Sequence, residues 1–137
     1  MIKEIDRADI PECVRVIRDS FMTVADELGF TAGNAPRFTA FAISEDRLYY
    51  QLENEHRLMI AYFLDSGKMI GYYSLLLQDS GQCELNNLCV LPEYRHNNTG
   101  TVLLNDAYER AKKEGCDIMN IGIVEENKVL NSDRKST

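Results

Sequence analysis

The chain has 137 residues, 45% of them hydrophobic and 27% charged, the balance of an ordinary globular domain with enough length for one core. Its formal net charge of −7 and the lack of any basic run exclude a nucleic-acid partner, because phosphate backbones are held by basic faces. No apolar run approaches the roughly 20 residues that span a bilayer and no basic start leads into an apolar segment, so a cytoplasmic protein without a membrane partner is expected, its acidity aiding solubility and favouring cationic substrates.

In chain order, Ile2 to Ile5 reads as a short first strand. Asp9-Ile10-Pro11-Glu12 is a helix start, with a carboxylate at the N-cap, proline in the first turn and an acidic residue at the capping-box position. Ile10, Cys13, Val14, Ile17 and Phe21 then form one apolar face, as a packed surface helix requires. From Met22 to Gln51 the pattern loosens around Gly29, Gly33, Asn34 and Pro36, before a helical stretch containing Phe38, Phe41, Ile43, Leu48 and Tyr49. A long, aromatic, interrupted segment of this kind suits a substrate wall. Glu27, Arg37, Glu45 and Asp46 are either its charge selectors or solvated helix-face charges.

Arg57 to Leu64 and Met69 to Leu77 are β-type runs joined by Asp65-Ser66-Gly67-Lys68, a hairpin signal. A second turn, Asp79 to Gln82, leads into the strand that carries Glu84, which completes an antiparallel meander. Leu85 to Leu91 is apolar and ends at Pro92, which cannot continue a ladder. Gly100, Leu103, Leu104, Ala107, Tyr108 and Ala111 recur at helical spacing, and Gly115 closes a helix running from about Thr99 to Glu114. That helix crosses to a strand over Ile118 to Val124, parallel to its neighbour with right-handed crossover. The expected fold is a single α/β domain over residues 1–137 with a mixed sheet.

Cys13, Cys83, Cys89 and Cys116 are irregularly spaced, and His56 and His96 are the only histidines. No metal site is expected. Cys89, with no histidine beside it on its strand, reads as a small buried hydrophobe rather than a nucleophile.

The strand that stops at Pro92, turns, and opens into a helix presents unpaired backbone N–H groups at the positive end of a helix dipole, a place where phosphates bind. Asn98 is the non-glycine type that best tolerates a left-handed turn conformation, Gly100 has no side chain to block a ligand, and Arg95 adds mobile positive charge.

Val90-Leu91-Pro92-Glu93-Tyr94-Arg95-His96-Asn97-Asn98-Thr99-Gly100 resembles, without gaps, the acyl-CoA pyrophosphate loop of the GNAT acetyltransferase superfamily, V-x-P-x-x-R/Q-x-x-G-x-G/A. Asn98 stands where the family has its first glycine. The order of elements over residues 2–131 is also similar to that of a GNAT domain. The resemblance implies an acyl-CoA N-acyltransferase fold and acetyl-CoA as co-substrate. It further implies a pantetheine arm bonded to backbone groups of Leu88, Cys89 and Val90, and a pyrophosphate held by Arg95, His96, Asn97, Asn98, Thr99, Gly100 and Thr101. Asn127 joins that cofactor site, since it matches the start of the family's next segment. Glu84, which by strand alternation shares a face with Asn86 and Leu88, stands where several GNAT enzymes have a glutamate acting as base through water; a solvated strand-end carboxylate is the other reading.

Beyond Leu130 the resemblance lapses. The heptapeptide 131–137 does not match the helix, Gly-Phe turn and two strands usual in the family, and no tyrosine follows Tyr108 to protonate the departing thiolate. An uncovered strand edge at Ile118 to Val124 leads to the expectation of a homodimer or larger assembly. The function implied is acetyl transfer from acetyl-CoA to an amine of a small molecule or peptide. The alternatives are a non-catalytic acyl-CoA-binding or regulatory domain and a truncated, inactive acetyltransferase.

Overall fold

In the computed structural model, residues 1–122 are described. Strand β1 (Ile2–Glu4) pairs antiparallel with β2 (Arg57–Phe63), β2 with β3 (Met69–Leu77), and β3 with β4 (Gln82–Val90). β5 (Ile118–Gly122) lies parallel to β4 at the other end of the order β1-β2-β3-β4-β5. This is the mixed sheet expected from a meander followed by one crossover. The expectations for Val124, Asn127, the 131–137 tail and the covering of the last strand fall on residues outside those described.

Two helical layers cover the sheet because its strands alternate apolar residues on both faces. On one face lie α1 (Ile10–Leu28) and α3 (Glu45–Asn54), linked by the short α2 (Thr39–Ala42). Ile10, Cys13, Val14, Ile17 and Leu48 pack there with Met59, Ala61, Phe63 and Tyr72. On the other face α4 (Thr99–Lys113) sets Leu103, Ala107 and Ala111 against Ile60, Tyr73, Leu75 and Leu85. Each large aliphatic side chain so buried contributes roughly 1.5–3 kcal/mol. Gly71 allows the close approach of α4, since a Cβ there would stand 2.7 Å from Leu103 Cδ1 and 3.1 Å from the Cys89 carbonyl oxygen.

The first helix differs from its sequence reading at both ends. Its expected cap, Asp9, makes no capping bond to α1. A 3-10 turn over Arg7–Asp9 precedes it, in which the Asp6 carboxylate accepts the Ala8 N–H at 2.9 Å and Asp9 Oδ2 accepts the Asp6 N–H at 3.0 Å. The capping box therefore sits one turn early. At the far end the helix does not loosen at Met22 but runs to Leu28, and Gly29 stops it at φ 71°. The Phe30 N–H bonds to the Ala25 carbonyl at 2.8 Å and the Gly29 N–H to that of Asp26 at 3.4 Å, the paired bonds of a Schellman cap.

β4 changes face halfway along. Asn86 pairs with Ser74 and Cys89 with Tyr72, so Asn87 and Leu88 together oppose the single residue Tyr73. This is a β-bulge, and Asn87 enters it at φ 57°, a conformation that asparagine tolerates better than other side chains. The bulge reverses the alternation. Cys83 and Leu85 before it, and Leu88 and Val90 after it, all pack on the α4 side, whereas Cys89 joins the α1 side. Glu84 and Asn86 share a face as expected, but Leu88 does not share it with them.

Arg57 fixes the bulge from below. Its side chain is 8% exposed and donates to Glu55 Oε1 at 2.7 Å, Ser74 Oγ at 2.8 Å and Asn86 Oδ1 at 3.0 Å. One guanidinium thus ties β2, β3 and β4 together.

Candidate functional site

Past the bulge, β4 ends in Leu88, Cys89 and Val90, and a 3-10 turn over Pro92–Asn97 carries the chain to α4. Asn98 takes the left-handed conformation its residue type suggests, φ 60° and ψ 17°, and α4 starts at Thr99. The Val102 N–H reaches back to the Asn98 carbonyl at 3.0 Å; the amides of Thr99, Gly100 and Thr101 precede the first residue that an α-helix supplies with an internal acceptor. They mark the positive end of the helix dipole.

A cavity of about 480 Å³ opens at this point, lined by Phe21 and Val24 of α1, by Leu88, Cys89 and Val90, and by Arg95, Gly100, Thr101 and Leu104. A Cβ added at Gly100 would meet only Val90 Cγ2, at 3.9 Å, so a side chain there projects into open space beside the helix terminus. Of the residues expected to bind an anionic cofactor, the structure gathers Leu88, Cys89, Val90, Arg95, Gly100 and Thr101 around one cavity. His96, Asn97 and Asn98 are exposed on the turn outside its lining, and Thr99 is buried beneath it.

Arg95 is not the mobile charge expected. Its Nε donates to the Val90 carbonyl at 3.0 Å, its Nη1 to Thr23 Oγ1 at 2.9 Å and its Nη2 to the Ser20 carbonyl at 2.5 Å. The extra length of α1 brings Thr23 within its reach. Arg95 therefore clamps the cavity's two walls, the end of β4 and the second half of α1.

A second pocket, of about 250 Å³, lies on the α1 side of the sheet before the bulge. Glu84, Asn86 and Asn87 of β4 form its floor, Arg57 its side, and Arg37, Thr39, Ala42, Ile43, Arg47 and Gln51 the wall expected from the loosened segment. Of the four charged residues considered for that wall, only Arg37 lines it. Glu27, Glu45 and Asp46 are exposed elsewhere. Arg47, Gln51, Arg57 and Asn87 were not singled out by the sequence; the Asn86-Asn87 pair inside a strand was the available signal, since asparagine is depleted from strands and enriched at positive φ. The lining carries three arginines against one carboxylate, opposite in sign to the chain as a whole.

Both cavities open on one strand. With a rise of about 3.3 Å per strand residue, Asn87 in the first and Leu88 in the second are a single residue step apart. An apolar recess of about 590 Å³ bounded by Phe30, Pro36 and Phe38 shares Arg37 and Thr39 with the polar pocket.

Thiol chemistry is absent from this arrangement. Burial pushes the Cys89 thiol up to about 12, and burial with Cys116 beside it does the same to Cys83. Cys13 is raised further, by burial first and then by Asp9. Such thiols carry no thiolate at neutral pH. Among the described residues no helix is long and apolar enough to cross a membrane, and no group of three His, Cys, Asp or Glu side chains is gathered as metal ligands would be.

The family model of the acetyltransferase (GNAT) family matches residues 27–131. No curated protein sequence matches the chain. Among solved structures, the fold is similar to that of PaiA N-acetyltransferase from Thermoplasma acidophilum in complex with coenzyme A, at 23% identity and a TM-score of 0.76, over 99% of this chain and 86% of that one. It is similar also to ribosomal-protein-S18-alanine N-acetyltransferase from Escherichia coli, at 17% identity and a TM-score of 0.69, over 99% of this chain and 74% of that one. A GNAT family acetyltransferase from Brucella melitensis in complex with acetyl-CoA matches at 15% identity and a TM-score of 0.69, over 91% of this chain and 77% of that one. At these identities the likeness is one of fold.

Proposed function

Since the chain belongs to the acetyltransferase (GNAT) family, we propose that it transfers the acetyl group of acetyl-CoA directly to an amine, with the cofactor in the cavity at the start of α4 and the amine in the Glu84 pocket. One observation carries this reading: the bulge at Asn87 gives Glu84, Asn86 and Asn87 to one cavity and Leu88, Cys89 and Val90 to the next.

The residues present fit acetyl-CoA. The amides that open α4 and the space beside Gly100 suit a pyrophosphate, and the backbone of Leu88, Cys89 and Val90 suits the amides of a pantetheine arm. Bound acetyl-CoA supplies an acyl thioester. Arg95 keeps Val90 and α1 at fixed separation, so that the cavity is formed before the ligand arrives. Glu84 accepts a proton from the ammonium form of the acceptor; the neutral amine then bonds to the acetyl carbon as the carbon–sulfur bond breaks, and the proton left on nitrogen passes to the departing thiolate or to solvent. The thiolate that leaves is tolerable near neutral pH, where an alkyl thiol titrates at about 8.5.

Release of free thiol from acetyl-CoA, followed across a panel of amines and short peptides, tests this function. Amine-dependent release is expected. Binding of acetyl-CoA without release for any acceptor would instead establish an acyl-CoA-binding domain, the reading favoured by Asn98 in the place of the family's first glycine and by an Arg95 whose guanidinium is already engaged.

A further inference from the structure

The arginines of this chain fall into two groups. Among the described residues, Arg7, Arg15, Arg57 and Arg110 each pair with a carboxylate, and Arg18 and Arg95 donate to backbone carbonyls. Arg37 and Arg47 do neither: no hydrogen bond or ion pair of either guanidinium is formed among the described residues. Both line the Glu84 pocket. In an acidic protein with 22 Asp and Glu against 15 Lys and Arg, two unpaired guanidinium groups beside the partly neutralised Arg57 make a local field that attracts an anion. Their planar forks match a carboxylate or a phosphate.

The same pocket holds acceptors that lack a donor. Gln51 is 8% exposed, and its amide oxygen has no hydrogen-bond partner among the described residues. A buried acceptor left unpaired is costly unless a ligand's donor fills it. Together with the Glu84 carboxylate, it suits an amine N–H.

Resting on the acetyl-transfer reading, we propose that the acceptor is a small amine that also carries an anionic group, a carboxylate or a phosphate, with the anion on Arg37 and Arg47 and the amine towards Gln51 and Glu84. A pocket of about 250 Å³ suits a molecule of this size, being smaller than the roughly 300–1,000 Å³ of sites for larger ligands. Arg57 is a positioning residue, since its bonds to Glu55, Ser74 and Asn86 occupy it.

A matched series of acceptors tests the proposal: propylamine, β-alanine, 2-aminoethyl phosphate and 1,3-diaminopropane, compared by kcat/KM for thiol release. At least one of the two anionic amines should exceed propylamine by about tenfold, the ordinary worth of a charge-assisted hydrogen bond, with the diamine poorest; which of the two is better identifies the anion. Arg37→Gln with Arg47→Gln should bring that ratio towards one, and Arg37→Lys with Arg47→Lys should restore part of it. A best rate with the diamine, or a ratio unchanged in the double glutamine variant, overturns the proposal. If none of the four is acetylated although acetyl-CoA binds, the transfer reading is left to the wider panel of amines and peptides, and the charge claim is decided independently by titrating inorganic phosphate into the CoA-saturated protein while following the amides of Gln51 and Asn87. Binding that the double glutamine variant loses supports the anion site; no binding, or equal binding in both proteins, overturns it.

Discussion

The two halves of β4 are built on different principles although they belong to one strand. Before Asn87, β4 is paired on both sides, with β3 and with β5, and its polar side chains Glu84 and Asn86 point into a pocket walled by arginines. After Asn87, Cys89 and Val90 pair with Tyr72 and Gly71 of β3, and the cavity is walled by apolar side chains with a helix terminus at its end. On the proposed assignment, side chains act in the first half, and backbone groups and open space in the second. A residue change should therefore act in the first by removing a functional group and in the second by adding bulk.

The largest break in that contrast is expected at Glu84. Glu84→Gln should lower kcat by roughly hundredfold or more at low pH, the range for loss of a general base. The deficit should shrink as pH rises, because an amine already deprotonated needs no base. The full pH–rate profile reads this, and identical profiles for variant and wild type would assign Glu84 to structure.

Next in size is the support of the bulge. Arg57→Leu leaves Glu55 and Asn86 without their donor, and should cost about 2–3 kcal/mol of stability, read from the urea midpoint at unchanged slope. On the other side of the bulge, Gly100→Leu should weaken acetyl-CoA binding by at least about tenfold in calorimetry without moving the midpoint, since its side chain enters open cavity rather than core. Unchanged affinity in the folded variant would mean the cofactor lies elsewhere.

Arg95→Ala should act more mildly and chiefly on stability, by about 1–2 kcal/mol, because it removes hydrogen bonds between α1 and β4. A loss of affinity far beyond that of Gly100→Leu would restore Arg95 as the main phosphate ligand. The smallest effect is expected at the buried thiols. Because burial raises Cys83 and Cys89 to about 12, both remain protonated at pH 8 and should resist alkylation in the folded protein, as mass spectrometry of peptides can show.

Much of this was legible in the sequence where local chemistry decides the outcome. Pro92, Asn98 and the spacing of Leu103, Ala107 and Ala111 specify the strand end, the left-handed turn and the helix, and the structure has all three. The hairpin at Asp65 to Lys68 joins strands β2 and β3 as expected. Legibility failed where distant residues decide. Asp26 and Glu27 are exposed on the last turns of α1, so they obscure its apolar period although Ala25 is buried. The bulge inserts one residue and inverts the faces of everything after it, and simple alternation therefore placed Leu88 with Glu84. Arg57 gives no sequence sign of its role, because its partners Ser74 and Asn86 lie on other strands. Arg95 reads as mobile until α1 is known to reach Thr23.

The division of β4 into two sites is tested most directly by titrating acetyl-CoA into the isotopically labelled protein and following backbone amide chemical shifts. The largest changes should fall on Leu88, Cys89, Val90, Gly100 and Thr101, with Thr39 and Arg47 nearly still until an amine is added. Largest changes across Phe30 to Gln51, with Gly100 and Thr101 undisturbed, would contradict the assignment of the cofactor to the second half of the strand.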